Sequence, residues 1–287
     1  MSAAAVTPEV VVAPSWRDKG IWAPAATAGP APVGQGAEQA ALDGYLATQP
    51  SLFGGSCAWP VMVLREDALE HNIQALATFA TRHGLLFAPH GKTTMAPQLW
   101  QRQIDAGAWG ITVATPAQLL IARRAGVARV LLANEVLDVT ALDWIAAELA
   151  SDPGFEFACF VDSAAGVRAI AAAGVANGLE RGPRGGFPVL LDVGFPGGRT
   201  GVRSHAAARA LAELVTATPG IRLLGVSSYE GGLPGVEAVQ GYFAGVRAIV
   251  EELAADGLLV ADAIVTAGGS AYFDQVGRHG RSCPMRA

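Results

Sequence analysis

Lysine is nearly absent from this chain: Lys19 and Lys92 stand against 18 arginines. A sequence that draws its positive charge from arginine keeps lysine where an amine is needed. An amine can lose its proton and attack a carbonyl, and a guanidinium cannot. Charge of either sign is also scarce. Charged residues make up 16% against 51% hydrophobic, which excludes an intrinsically disordered chain. A net charge of −5 speaks against a basic surface for nucleic acid. No apolar run reaches membrane-spanning length without a charge or a Gly/Pro break, so no membrane partner is expected. Cys57, Cys159 and Cys283 are odd in number and far apart, which speaks against a disulfide framework and fits a reducing cytosol. Met1–Pro14 has neither the basic start nor the leucine-rich centre of a secretory leader, so a cytoplasmic location is expected.

What is present is a regular alternation. Residues 23–37 are nearly all Ala, Pro and Gly and read as a flexible lead-in, followed by a short helix over Ala37–Thr48. Val61–Leu64 reads as a strand. Glu66–Arg82 reads as an amphipathic helix with Leu69, Ile73, Leu76 and Ala80 on one face. Strands are then predicted over Leu85–Ala88, Gly110–Ala114, Arg129–Ala133, Phe155–Val161, Pro188–Val193, Arg222–Ser227 and Ala263–Thr266. They are near-continuous apolar runs, the pattern of strands buried on both faces. Helices are predicted between them, over Pro97–Asp105, Pro116–Ala125, Val139–Ala150, Ala164–Ala173, His205–Thr216 and Val236–Ala255. Repeated β-then-α units imply parallel strands with right-handed crossovers.

Polar chemistry sits where each strand ends. It comprises His90 and Lys92, Thr115, Asn134 and Glu135, Asp162 and Ser163, Asp192 and Arg199, Tyr229 and Glu230, and Gly268–Ser270. An open sheet concentrates function at one switch point, whereas a ring of functional groups at strand C-termini is how a (β/α)8 barrel builds its site. The fold class expected is therefore α/β, of the TIM-barrel type. Lys92 lies in Pro89-His90-Gly91-Lys92-Thr93-Thr94, at the mouth of the first barrel strand. It reads either as a Schiff-base lysine or as a solvent-facing loop lysine. Gly268-Gly269-Ser270 reads either as a phosphate cradle, with backbone amides and a hydroxyl, or as an ordinary tight turn.

Taken together in order and spacing, these pieces resemble a known family. They are Leu69-Glu70-His71-Asn72-Ile73, Pro89-His90-Gly91-Lys92-Thr93, Asn134-Glu135-Val136, Val161-Asp162-Ser163, Asp192-Val193-Gly194, Arg199-Thr200-Gly201, Tyr229-Glu230-Gly231 and Gly268-Gly269-Ser270. Residues 58–276 are similar to the alanine racemase-like barrel of the fold-type III pyridoxal-phosphate enzymes. Within that group they look most like the branch of D-threonine aldolase and D-serine dehydratase.

The resemblance implies roles. Lys92 would hold pyridoxal 5'-phosphate covalently and serve as the catalytic base. Gly268, Gly269 and Ser270 would bind the phosphate, and Tyr229 would border the ring or reach the phosphate. Arg199 would lie near the pyridine nitrogen or pair with a neighbouring acid. His90 would pack on the cofactor or satisfy a backbone carbonyl, and Asp162 and Asp192 would brace loops or take part in chemistry. The activity implied is that of a lyase or deaminase on small β-hydroxy D-amino acids. Aldol cleavage, racemisation and non-catalytic cofactor carriage are the alternatives. A homodimer is expected, because a partner subunit often completes the site in this family.

The resemblance also carries departures. Ala88 and Thr94 stand where relatives commonly have Arg and His. Three regions are expected: an N-terminal extension over 1–57, the barrel domain over 58–276 and an irregular tail over 277–287. The eighth strand and most of a companion β-domain would follow Phe273 and are not found, so the barrel is expected to be incomplete. Relatives draw the ligands for a divalent metal, zinc or manganese, from that domain. His279 and Cys283 do not match its motif, so no metal site is expected, and the chain as it stands is expected to show little dehydratase activity.

Overall fold

The computed structural model describes residues 63–181, 185–260 and 262–279, with scattered residues between 44 and 60. The lead-in over 23–37, most of the helix over Ala37–Thr48 and the first half of the strand over Val61–Leu64 lie outside the described residues. Val63 and Leu64 are exposed and belong to no regular element. The chain divides into two compact units, residues 1–71 with 95–98 and residues 72–94 with 99–287. In the first, Arg65 pairs with Asp67 at 2.5 Å and the rings of Phe53 and Trp59 stack at 5.6 Å. The second holds the sheet.

In chain order the elements are α1 (Glu66–His83), α2 (Pro97–Asp105), β1 (Ile111–Val113), α3 (Pro116–Arg124), β2 (Arg129–Glu135), α4 (Val139–Ser151), β3 (Glu156–Val161), α5 (Ala164–Ala176), β4 (Phe187–Val193), α6 (His205–Ala217), β5 (Ile221–Ser228), α7 (Val236–Ala255), β6 (Ile264–Thr266) and α8 (Phe273–His279). A 3-10 turn, Leu179–Arg181, lies between α5 and β4. The six strands form one parallel sheet in sequence order, β1 to β6. Four helices that follow strands start on a side-chain cap. Thr115, Asp138, Ser163 and Ser204 accept the amides of Gln118, Ala141, Gly166 and Ala207. Each cap satisfies an amide with no partner inside its helix, worth about 1 kcal/mol, and fixes where strand becomes helix.

The alternation of apolar runs translates directly into burial. Every residue of β4 is buried, as a central strand covered on both faces must be. Leu131, Ala158 and Leu190, with Phe160, Leu224 and Ile264 against them, form one layer crossing β2 to β6. The ends of the sheet also approach one another through side chains. Leu85, ahead of β1, packs with Ala267 and Tyr272 against buried Val239, Phe243 and Val276. Phe79 of α1 meets Phe273 of α8 edge-on at 5.0 Å. The architecture is a parallel open half-barrel, consistent with an incomplete (β/α)8 barrel.

Three expectations are corrected. Leu85–Ala88 is not a regular strand, so six strands are paired, not seven. The stretch runs alongside β1 through the Trp109 amide to Phe87 O (2.7 Å), the Thr112 amide to Pro89 O (2.9 Å) and the Gly91 amide to Thr112 O (2.7 Å). Pro89 has no N–H to donate, so the ladder shrinks to a bridge at His90 and Thr112. On α1, Ile73 and Ala80 are buried, but Leu76 is exposed. The tail expected to turn irregular at Gly277 stays helical through His279. Val276 is buried, and Gly277 lies so close to α1 that a Cβ would stand 2.7 Å from the His83 ring. Residues 280–287, Cys283 among them, lie outside the described residues.

Candidate active site

Parallel strands deliver all their C-terminal ends to one rim, so the residues after β1–β6 share a mouth. Lys92 and His90 reach the same rim from the segment bonded to β1. The turn that carries them is set by glycine. A Cβ at Gly91 would stand 2.7 Å from Trp100 Nε1 and 2.8 Å from Ile111 Cγ2, so a side chain there would expel the buried indole. That close approach holds the turn Gly91–Thr94 down on Trp100 and leaves the Lys92 side chain exposed. His90 is exposed as a residue, although its ring is partly desolvated. That desolvation and the neighbouring Lys92 charge together hold it below the ordinary imidazole range, against a contact with the Thr112 backbone that favours the proton.

Many of the other polar residues at the rim brace it. Asn134 Nδ2 donates to Ala114 O at 3.3 Å, tying the end of β2 to the end of β1. Glu135 accepts from Ser163 Oγ at 3.0 Å and from the Asp162 amide at 3.3 Å, which ties β2 to the start of α5. Burial pushes its carboxyl above the usual carboxylate range, and its hydrogen bonds offset part of that. Asp192 is buried and accepts from Ser227 Oγ at 2.9 Å, joining β4 to β5. Burial raises its carboxyl pKa too, opposed by bonds from Ser227 and Thr200. Asp162 Oδ2 accepts the Gly201 amide at 2.8 Å.

These braces aim the exposed groups. Beyond β4 the chain folds back on itself, with the Gly194 amide to Val202 O (2.8 Å) and the Val202 amide to Asp192 O (2.9 Å). Arg199 stands on that loop, its guanidinium 5.4 Å from the centre of the Tyr229 ring. A cation over an aromatic face at this distance is attractive. Tyr229 in turn lies over its own loop. A Cβ at Gly231 would stand 2.4 Å from the Tyr229 hydroxyl, so a side chain there would have to displace the exposed ring. A Cβ at Gly269 would meet Gly231 Cα at 3.0 Å, so the turn after β6 presses on the loop after β5. Gly268 and Ser270 are exposed and Gly269 is buried. Arg199 thus meets Tyr229, and the turn after β6 packs on the loop after Tyr229, while the segment bonded to β1 brings His90 and Lys92 to the same end of the sheet.

Two residues at this rim carry no motif-level signal of their role. Tyr242 of α7 donates to Val193 O at 2.5 Å and accepts the Tyr229 amide at 3.1 Å, clamping the ends of β4 and β5 together. Glu230 is fully buried and takes the Gly269 amide. Its place beside Tyr229 was visible in the sequence, but its burial was not. Among the described residues, no three His, Cys, Asp or Glu side chains group as metal ligands, and no helix is long and apolar enough to cross a membrane.

Comparison with known proteins gives this geometry a context. The chain is 26% identical over 225 residues to 3-hydroxy-D-aspartate aldolase of Paracoccus denitrificans (strain Pd 1222), covering 75% of this chain and 56% of that one. Among solved structures it is similar to D-threonine aldolase from Filomicrobium marinum, with a TM-score of 0.65 at 26% identity, over 78% of this chain and 59% of the other. It is also similar to D-threo-3-hydroxyaspartate dehydratase from Delftia sp. HT23, with a TM-score of 0.62 at 27% identity, over 73% and 55%. The chain spans about half the length of the curated relatives it matches. Its residues 64–279 match the pattern described as the alanine racemase N-terminal domain, which is most of the chain and nearly all of its described part. A parallel half-barrel with its polar groups gathered on one rim, carrying that match through α8, belongs to the alanine racemase N-terminal domain family.

Proposed function

We propose that this chain carries the cofactor-binding barrel of a pyridoxal-phosphate-dependent lyase that acts on β-hydroxy D-amino acids, by dehydration or by retro-aldol cleavage. The observation that carries the reading is Lys92, one of two lysines, exposed on the rim that also bears Arg199, Tyr229 and the Gly268–Ser270 turn. The named activities of the relatives, on 3-hydroxy-D-aspartate and on D-threonine, support the substrate class.

The residues present suit pyridoxal phosphate. An exposed primary amine matches the aldehyde. Gly268 and Ser270 are exposed and nothing lies within 4 Å of a Cβ placed on Gly268, so this part of the turn is open to a phosphate beside the Ser270 hydroxyl. When bound, the cofactor supplies an electron sink for the charge left at the substrate's α-carbon. Lys92 would hold the cofactor and, once the substrate amine displaces it, move the α-proton through Nζ. Arg199 keeps a fixed positive charge over Tyr229, suited to a ring nitrogen that must stay unprotonated. His90 precedes the turn Gly91–Thr94, and burial together with the neighbouring Lys92 disfavours its protonation. The braces from Asp162, Asp192 and Tyr242 orient these groups and touch no reacting atom in this scheme.

The test is direct. Protein incubated with pyridoxal phosphate should gain a visible absorbance band, and borohydride should fix the cofactor to the peptide containing Lys92. Turnover is read as 2-oxo acid or aldehyde release from D-threo-3-hydroxyaspartate and D-threonine, with zinc or manganese added. An adduct on Lys19, or none in folded protein, overturns the reading. Turnover of either substrate by this chain would favour an enzyme over a carrier and overturn the expectation of little activity.

A further inference from the structure

We propose that Glu230 is the positioning residue of the Gly268–Ser270 turn, holding the Gly269 amide inward so that Gly268 and Ser270 face the mouth. The inference rests on the reading that this turn takes the cofactor's phosphate.

Glu230 lies two residues beyond β5, between exposed Tyr229 and exposed Gly231, yet it is fully buried. Its Oε1 accepts the Gly269 amide at 2.5 Å from 39 residues away. The Gly269 carbonyl accepts the Tyr272 amide at 3.1 Å, so both backbone groups of Gly269 are engaged within the protein. Gly269 therefore gives nothing to a ligand. It is the pin of the turn, and its neighbours are the groups presented. A side chain at the pin would be crowded, since a Cβ would stand 3.1 Å from the Glu230 carboxylate and 3.0 Å from Gly231 Cα. The Glu230 carbonyl meanwhile accepts the Leu233 amide at 2.9 Å, which ties the pin to the loop that carries Tyr229.

The second carboxylate oxygen, Oε2, is buried with no hydrogen-bond partner among the described residues. A buried polar oxygen without a partner is unfavourable, so a residue kept only to fill space would be apolar here. An acceptor oxygen at this reach holds a turn whose two glycines have no side chains of their own to pack. The hold needs an acceptor oxygen at that reach; it does not need the negative charge, which lies beneath a turn proposed to receive an anion.

The experiment compares wild type, Glu230→Ala and Glu230→Gln as full chains, with two readouts. The first is hydrogen exchange at the Gly269 amide in cofactor-free protein. It should rise by about tenfold or more in Glu230→Ala, which has no acceptor, and stay near wild type in Glu230→Gln, which keeps one. The second is affinity for pyridoxal phosphate against pyridoxal, which lacks the phosphate. Glu230→Ala should weaken pyridoxal phosphate about tenfold and leave pyridoxal unchanged, and Glu230→Gln should restore wild-type binding. Equal loss for both ligands would mark a general structural defect and overturn the positioning role. Glu230→Ala that exchanges as slowly as wild type would overturn it whatever the cofactor does. Wild type that takes up no pyridoxal phosphate would overturn the functional reading instead, a result the exchange measurement keeps separate. Should Glu230→Ala not fold, Glu230→Asp, which keeps the charge but shortens the reach, is read by the same criteria.

Discussion

Asp162, at the end of β3, accepts the backbone amide of Gly201 at 2.8 Å, and so one carboxylate holds down the loop that carries Arg199. Gly201 has φ of 88° and a Cβ on it would stand 2.3 Å from Gly194 N, so the loop lies flat on the end of β4. Asp162→Ala should leave the Gly201 amide without its acceptor and lower unfolding stability by about 1–3 kcal/mol. Asp162→Asn, which keeps an acceptor oxygen, should lose less than half of that. Denaturant unfolding of the two variants decides the matter; equal losses would mean the charge, not the bond, is what counts.

His90 and Lys92 are coupled through charge. The lysine and partial burial hold the imidazole below its ordinary range. The folded state therefore binds the His90 proton less readily than the unfolded chain. This makes no difference at high pH, where both forms are neutral, and stability is lost as pH falls through and below the unfolded value of about 6.5. Lys92→Met should raise the His90 titration midpoint observed by NMR and shrink the acid-side loss. A midpoint that does not move on removing the lysine would show that burial alone sets it.

Tyr242 clamps two strand ends at once. Tyr242→Phe leaves the Val193 carbonyl and the Tyr229 amide without their shared partner, and a loss of about 1–3 kcal/mol is expected in thermal or denaturant unfolding. Burial pushes the phenol well above its ordinary value, so the unfolded chain ionises first and stability contributed by this group falls as pH rises past about 10. The phenylalanine variant should lack that alkaline component.

Gly174 is the tightest helix contact behind the sheet. A Cβ on it would stand 1.8 Å from the Gly220 carbonyl oxygen, and Gly220 itself has φ of 87°. Gly174→Ala must push α5 away from the turn that opens β5. Overpacking against backbone should cost about 3 kcal/mol, the upper end for such changes. A melting temperature unchanged from wild type would mean that the helix shifts freely, contrary to the buried contacts of Ala171 and Ala173 beside it.

Much of the architecture was legible in the chain because its signals are local. A strand buried on both faces needs an unbroken apolar run, and Phe187–Val193 is one, buried at every position. The helix starts expected at Pro116, Val139, Ala164 and His205 stand where the structure has them, each directly after a capping residue that acts within three residues of itself. Where local reading failed, a single backbone property intervened. Pro89 broke the ladder beside β1, and Gly277 allowed a helix to continue against α1 where its sequence showed no apolar period.

The rim divides the two kinds of information most clearly. Sequence alone determined which residues end the strands, and that Lys92 is one of two lysines in the chain. It offered Asp162, Asp192, Arg199 and Tyr229 as polar residues with alternative roles, and Glu230 beside them with none. Tertiary structure split this group. Asp192 and Glu230 are buried and hold strand ends or turns, while Arg199 and Tyr229 are exposed and meet each other. The reason is physical. Hydrophobic period and capping depend on neighbours a few residues away, which a sequence displays. Whether a carboxylate faces water or a buried amide depends on chain brought in from elsewhere, as Gly269 is brought to Glu230 across 39 residues, and only the folded sheet decides that.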